Sequence, residues 1–415
     1  MRKALIATVL LALTFGAAVA QRTISVWSGY PELEPFYDHV AEQFEADNPN
    51  VTIEVLTQPL REYERRLLVT LPAGSSGDVL EISSSFAARL VQNALIPPVA
   101  DSLEELVTGG SYGEFFIELA SHEGDVYGVP LFRGQGALFY NTEMFEEAGL
   151  EGPPQTMDEY LEYARELTVR DASGDPVRSG WSLRLSGGGS GVAEKFWTIM
   201  HQYGGSIVEQ LDDGTWVAGY DNDAGYETLK LYVDLVNKYD VVTPELRGDA
   251  EGFELETTAM FMRESWVIGD IASKAPDLPY ATAPLPRGTI ALPVNLYVTD
   301  DDPLVAEYVE YVMRPENQQW LLANVGWLPN RQDVDYSAII ADTPALDAFL
   351  NVPEDHVFFT VPPIEPIDEI QTRLAERLVR AYTNADLVDN EQGIRDLLSD
   401  AAAETNDILR RAGLQ

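Results

Sequence analysis

Ile24-Ser25-Val26-Trp27-Ser28-Gly29, followed at Pro31 by a run carrying Phe36, Val40 and Phe44 at four-residue spacing, decides the fold of this chain. β-Prone residues that open at Ser-Gly read as a strand, and apolar residues four apart share one helix face. Asn48-Pro49-Asn50 stops that helix, because proline keeps the residue before it out of helical geometry. The unit then repeats. Val51 to Val55 reads as a strand, Arg61 to Leu71 as a helix and Asp78 to Ile82 as a strand, before a helix with Phe86, Leu90 and Val91. Ser83 or Ser84 is the expected cap of that last helix. Three strand–helix units in about 70 residues predict an α/β fold with parallel strands and right-handed crossovers.

Upstream, Arg2 and Lys3 precede an almost wholly apolar run from Ala4 to Val19, and Ala18-Val19-Ala20 has small residues at both ends. That pattern predicts a signal peptide cut near Ala20, before Gln21, on a run short for a membrane span. The expected product is periplasmic or secreted, with no direct membrane insertion. The chain has no cysteine. Disulfides, thiolate metal sites, cysteine nucleophiles and an N-terminal thioether lipid anchor are thereby excluded. Its 68 acidic residues against 27 Lys plus Arg give a formal net charge of -41. Such a field repels nucleic acid and anionic membrane surfaces. After the leader only Lys195, Lys230, Lys238 and Lys274 are lysines. This surface suits salty surroundings, where screening relieves self-repulsion.

Downstream the alternation continues. Val126 to Pro130 and Gln135 to Asn141 read as extended, and Thr142 is the expected cap of a short helix ending at Gly149. Thr156 and Glu159 form a capping box. Ser186 to Gly191 is a glycine-rich break before a helix from Val192 to Tyr203, and a longer helix covers Ala224 to Tyr239. Thr258 to Met262 reads as a buried strand, Pro284 to Val298 as strand and turn, and Asp302-Pro303 as a helix start. Helical patterns around Asp368 to Ala381 and Glu391 to Arg411 finish the chain.

The order of several short motifs resembles the bacterial extracellular sugar-binding proteins of ABC importers, the maltose-binding-like family. The motifs are Asp125-Val126-Tyr127-Gly128-Val129-Pro130, then Tyr140-Asn141 leading to Phe145 and Ala148-Gly149-Leu150, then Pro153-Pro154 with Thr156 and Glu159. Ala259-Met260-Phe261-Met262 with Trp266, and Gly326 with Leu328-Pro329-Asn330-Arg331, complete the series; with Ile24 to Trp27, Phe44 to Pro49 and Leu71 to Val79 upstream, the resemblance covers essentially the whole chain after the leader. The resemblance implies a two-lobed periplasmic-binding-protein fold, type II-like, that closes on its ligand by hinge bending. One lobe would hold residues 21–132 and 285–327, the other 133–284 and 328–415. It implies a small-molecule carbohydrate as ligand, ABC permease transmembrane subunits as partners, a monomeric protein and no cofactor or metal. One departure is the loop from Leu285 to Asn295, which lacks the family's glycine pair and leaves the ligand contacts there open.

A sugar offers apolar C–H faces and a belt of hydroxyls, so its site needs aromatic platforms beside planar polar groups. Trp27, with Tyr30 and Glu32 in the following loop, lies where ligands meet the carboxyl ends of strands in open α/β sheets. Trp266 follows an apolar strand beside Glu264, which is expected to accept from two hydroxyls; the resemblance implies that the position of Trp266 stacks on sugar. Arg133 and Gln135 stand at the first expected crossover, where a guanidinium fork fits a vicinal diol or instead a structural ion pair. Asp78 and Phe86 are candidates because the family offers an acid and an aromatic in that loop, although Phe86 also reads as a core residue. Trp181 precedes the glycine run around Gly188, which lacks the Gly-Lys-Ser/Thr of a nucleotide loop. Trp327 lies at the third crossover.

Catalysis is the competing class. Glycosidases need two carboxylates at a fixed gap, and no motif fixes such a pair. His39, His122, His201 and His356 show no metal-ligand spacing, and no G-x-S-x-G elbow is present. A carbohydrate-active enzyme, a sensing or adhesion module, and a polyol or glycerol-phosphate-like ligand remain the alternative readings.

Overall fold

The computed structural model describes residues 22–186, 190–243 and 246–415. The expected leader and Gly188 lie outside the described residues. From its amino end the chain runs β1 (Arg22–Ser28), α1 (Glu34–Asp47), β2 (Val51–Thr57), α2 (Leu60–Thr70), β3 (Val79–Ser83) and α3 (Ser84–Gln92). β1 pairs in parallel with both β2 and β3, as the repeated strand–helix units predict. Two long strands then enter the same sheet, β4 (Gly128–Asn141) and, after β5 (Met260–Glu264) and β6 (Tyr280–Ala283), β7 (Gly288–Val298). The order is β5-β4-β7-β3-β1-β2, and β7 is antiparallel to both β3 and β4.

Two apolar bodies hang on this continuous sheet. One gathers buried residues from Ile24 to Phe132 and from Val294 to Leu321, plus a layer around Trp27, Leu67 and Leu90. The other gathers residues from Ala137 to Ile290 and from Leu322 to Leu409. The backbone therefore crosses from one body to the other inside β4, inside β7 and near residues 321–328. Along β4, Val129 and Phe132 pack in the first body and Leu138 and Phe139 in the second. Strands that belong to two cores hold both lobes in register while leaving few residues to bend between them. The second lobe contributes α4 (Gly191–Gln202), α5 (Asp223–Val233), α6 (Trp266–Lys274), α7 (Ile367–Tyr382) and α8 (Glu391–Arg411).

Local chemistry moves several expected boundaries. The cap of the helix Thr142–Ala148 is Asn141 rather than Thr142: its side chain accepts from the Met144 amide at 3.0 Å. Gly149 ends that helix at φ 74°, a left-handed geometry in which a Cβ is strained. Thr156 caps its helix by accepting from the Glu159 amide, but the Glu159 carboxylate reaches back to the amide of Gln155 instead of Thr156. Ser83 stands at the N-cap of α3 with no side-chain capping bond. The long helix expected over Ala224 to Tyr239 is α-helical only to Val233 and continues as one π turn, Asp234–Lys238. All four lysines after residue 21 sit in ion pairs, with Glu264, Asp234, Asp389 and Asp270. Among the described residues no helix is long and apolar enough to cross a membrane.

Candidate functional site

Parallel β1 and β3 end together, so the segments that follow them converge at one edge of the first lobe. Tyr30 comes from the turn after β1, Ser83 and Ser84 from the junction of β3 and α3, and Arg61 and Glu64 from the first turns of α2. With Leu292 to Val294 of β7 they form one wall of a cavity of ≈ 220 Å³. The opposite wall comes from the second lobe: Ser190 and Glu194 at the start of α4, the extended segment Thr360 to Ile364, and Asp368 and Gln371 on α7. The cavity thus lies between the two apolar bodies, at the carboxyl ends of the parallel strands. Segments of the chain some 300 residues apart make its two faces.

Its lining is polar and not fully used by the protein. Gln371 is 1% exposed, and its Nε2 has no hydrogen-bond partner. The hydroxyls of Ser83, Ser84 and Ser85 also find no partner among the described residues. A buried donor left unmade costs free energy on the order of 1–3 kcal/mol, so the Gln371 amide at the cavity wall is available to a hydrogen-bonding ligand or water. Charged lining groups are Arg61 and Arg89 against Glu64, Glu194, Glu365 and Asp368, and Arg61 pairs with Glu64 at 2.9 Å. Beside the cavity Tyr30 meets Phe132 and Trp327 edge-on at 5.4 and 5.8 Å, and Phe132 and Trp327 lie 4.8 Å apart. Burial pushes the Tyr30 phenol far above its ordinary range, with the Glu81 carboxylate adding to it. Among the described residues no cluster of three His, Cys, Asp or Glu is arranged to hold a metal ion.

Residues 39–348 match the model of the bacterial extracellular solute-binding protein family. The chain belongs to that family. A Brucella abortus (strain 2308) protein named as a binding protein is 24% identical over 418 residues, covering 97% of this chain and 96% of its own length. The lactose-binding protein of Rhizobium radiobacter is 25% identical over 63% of this chain and 61% of itself. Among solved structures, the sugar-binding protein MalE from Xanthomonas citri superposes with a TM-score of 0.76 at 18% identity, covering 94% and 99% of the two chains. A Thermotoga lettingae solute-binding protein holding α-D-tagatose superposes at 0.72 with 21% identity, covering 94% and 100%. These structural likenesses bear on the fold, which is the two-lobed solute-binding fold.

Within this solute-binding protein the expected site residues separate into groups. Tyr30 and Phe86 line the interlobe cavity, and Trp327 backs Tyr30. Phe86 also packs in the first-lobe core, and the Arg89 guanidinium lies over its ring. Trp266 is 37% exposed at the start of α6, outside the cavity lining, with Arg263 over its ring. The neighbouring Ser265 hydroxyl donates to the Gly326 carbonyl, which ties this corner to the segment carrying Trp327. Glu32 is exposed in the turn Pro31–Leu33 and does not reach the cavity.

Other expectations are corrected by what each side chain touches. Trp27 is the penultimate residue of β1, so strand alternation turns it onto the sheet face rather than out of the strand end. There it packs with Tyr63 and Leu67, beneath Arg66. A Cβ at Gly77 would come within 2.6 Å of its ring, so only glycine allows that approach. Asp78 stands at the amino end of β3, the far edge from the cavity, and accepts from the Ser25 amide at 2.6 Å and the Ser25 hydroxyl at 2.8 Å. Arg133 is buried and donates to Gln135 and to the carbonyls of Pro329 and Phe349, a brace across the hinge strands rather than a ligand fork. Burial lowers its guanidinium to about 10. Gln135 is used by that brace, although its Nε2 has no partner. Trp181 is fully buried against Tyr160, in the second-lobe core.

Glu264 is likewise committed to the protein. Desolvation raises its carboxyl, but Lys195 at 2.5 Å and Arg263 at 3.3 Å outweigh that and hold it down to about 2. Both oxygens are therefore taken by cations instead of hydroxyls. The reading from sequence missed Arg61, Arg89, Glu194, Asp368 and Gln371. A usable signal was present in Val361-Pro362-Pro363-Ile364-Glu365-Pro366, a proline-stiffened segment leading into a helix and assigned to no element.

Proposed function

We propose that this protein captures a neutral sugar or small oligosaccharide in the interlobe cavity and delivers it to the transmembrane subunits of an ABC importer. The observation that carries this reading is the cavity between the lobes, lined by hydroxyls and by a buried Gln371 amide with no protein partner. Amide and hydroxyl groups that both donate and accept suit a belt of sugar hydroxyls. Tyr30 and Phe86 in the lining offer the aromatic surfaces that a ring's C–H face requires. Named relatives are lactose- and maltotriose-binding proteins, which agrees with this ligand class. A glycerophosphocholine complex of UgpB from Mycobacterium tuberculosis is also structurally similar. Four carboxylates against two guanidiniums in this cavity favour a neutral ligand over a phosphate.

The mechanism is a two-state trap. Sugar docks on one wall, the lobes rotate about the three crossings, and contacts from the other wall favour the closed form. The lobes are read as residues 21–132 with 285–327 and residues 133–284 with 328–415. Core membership supports that division and draws its middle boundary inside β7, because Leu285 and Ile290 pack with the second lobe. The protein acts as a monomer in the periplasm or outside the cell after cleavage near Ala20, and binds without catalysis. A thermal-shift screen over mono-, di- and trisaccharides, polyols and sugar acids at high salt tests the reading. A neutral sugar should raise the melting temperature in a concentration-dependent way. Stabilisation by sugar acids or phosphates alone contradicts it.

A further inference from the structure

A second chamber adjoins the interlobe cavity. It has a volume of ≈ 100 Å³, less than half that of its neighbour, and Ser84, Ser85, Val361 and Pro363 line both. These four shared residues, at the first turn of α3 and in the facing extended segment, are the boundary between the two. Their surfaces differ in balance, the larger being more polar and the smaller more apolar. The larger cavity presents hydroxyls, carboxylates and an amide. The smaller one is lined by Ala88 and Val91 of α3, by Leu119 and by the rings of Tyr127 and Tyr297, with Gln92, Glu118, Ser121 and His122 as its polar members. Tyr297 is held in place, its hydroxyl accepting from Asn295 at 3.1 Å, and Tyr127 meets His122 edge-on at 6.2 Å. These rings are thus fixed before any ligand arrives, which reduces the ordering cost of binding.

We infer that the ligand has two joined units, a hydroxyl-rich ring in the interlobe cavity and a second unit whose apolar face enters this side chamber. The inference rests on the sugar reading above and adds the size and shape of what is bound. The chamber is the smaller of the two cavities, so the second unit is the smaller or equal partner of the first. Its mainly apolar walls, with a few polar groups among them, suit a unit with an apolar face and a polar edge, whether a second sugar ring or an aromatic aglycone.

The test uses calorimetry with the full-length exported protein and the monosaccharide that performs best in the screen, together with its disaccharide and its phenyl glycoside. The disaccharide or the phenyl glycoside should bind at least tenfold more tightly than the monosaccharide, and which of them gains identifies the second unit. Ala88→Trp fills the chamber without touching the larger cavity; it should abolish the gain and leave monosaccharide affinity within twofold. Ala88→Leu, a smaller intrusion, serves if the tryptophan variant melts early. Equal affinities for one and two units, or a gain that survives both substitutions, overturn the inference while leaving the sugar reading intact. Absence of binding by every sugar overturns both.

Discussion

At the amino ends of β1 and β3, Asp78 accepts twice from Ser25 and faces Arg22, whose guanidinium also reaches Asp300 and Asp302. At the carboxyl ends of the same strands, Ser83, Ser84 and Ser85 have no hydrogen-bond partner among the described residues, and Gln371 Nε2 is buried without one. Both edges are rich in Ser and acidic residues, so residue type does not separate them. What separates them is satisfaction. One edge closes its polar groups on each other, although they border a cavity of ≈ 760 Å³ within the first lobe, while the other leaves them open toward a cavity shared with the second lobe.

That contrast can be broken by substitution. Gln371→Leu keeps the side-chain volume but removes the unpartnered amide. It should weaken binding of the best sugar by roughly 10- to 100-fold, the range of one buried hydrogen bond, with little change in stability, as read by calorimetry and urea unfolding. Trp266→Ala should weaken binding at least tenfold with the fold intact where lobe closure carries this indole, outside the cavity lining here, onto the ligand; unchanged affinity removes it from the site. Asp78→Asn should do the reverse of Gln371→Leu. Sugar affinity stays within twofold while unfolding stability falls by about 1–3 kcal/mol, since one oxygen serves two donors of Ser25.

Glu81 sharpens the comparison from the middle of β3. It is fully buried, accepts from Ser28 at 2.7 Å and from the Tyr37 hydroxyl, and burial raises its carboxyl to about 8. A raised carboxyl means that the folded state holds the proton more tightly than the unfolded chain. Its stabilising contribution is complete below the unfolded value near 4.5 and is lost as pH rises through about 8. Glu81→Gln should therefore flatten the decline in melting temperature between pH 5 and 9. This is the smallest of the expected effects.

The fold was legible because periodicity and caps act locally. Phe36, Val40 and Phe44 specify a helix face wherever the chain runs, and Gly149 ends its helix by its own backbone freedom. The site was less legible because its walls are brought together by topology. Arg61 and Gln371 share a cavity only after β4 and β7 have joined two cores. Individual readings failed for reasons that sequence does not carry. Trp27 lies one residue from the strand end, and alternation sends it into the core. Glu264 lost its freedom to Lys195, 69 residues away along the chain. Arg133 meets main-chain carbonyls rather than a diol.

Hydrogen exchange with and without a saturating concentration of the best sugar tests the central claim most directly. New protection is expected on both walls at once, in residues 83–89 of the first lobe and 360–371 of the second. Protection confined to one lobe, or appearing instead around Asp78 and Asp300 to Asp302, would contradict it.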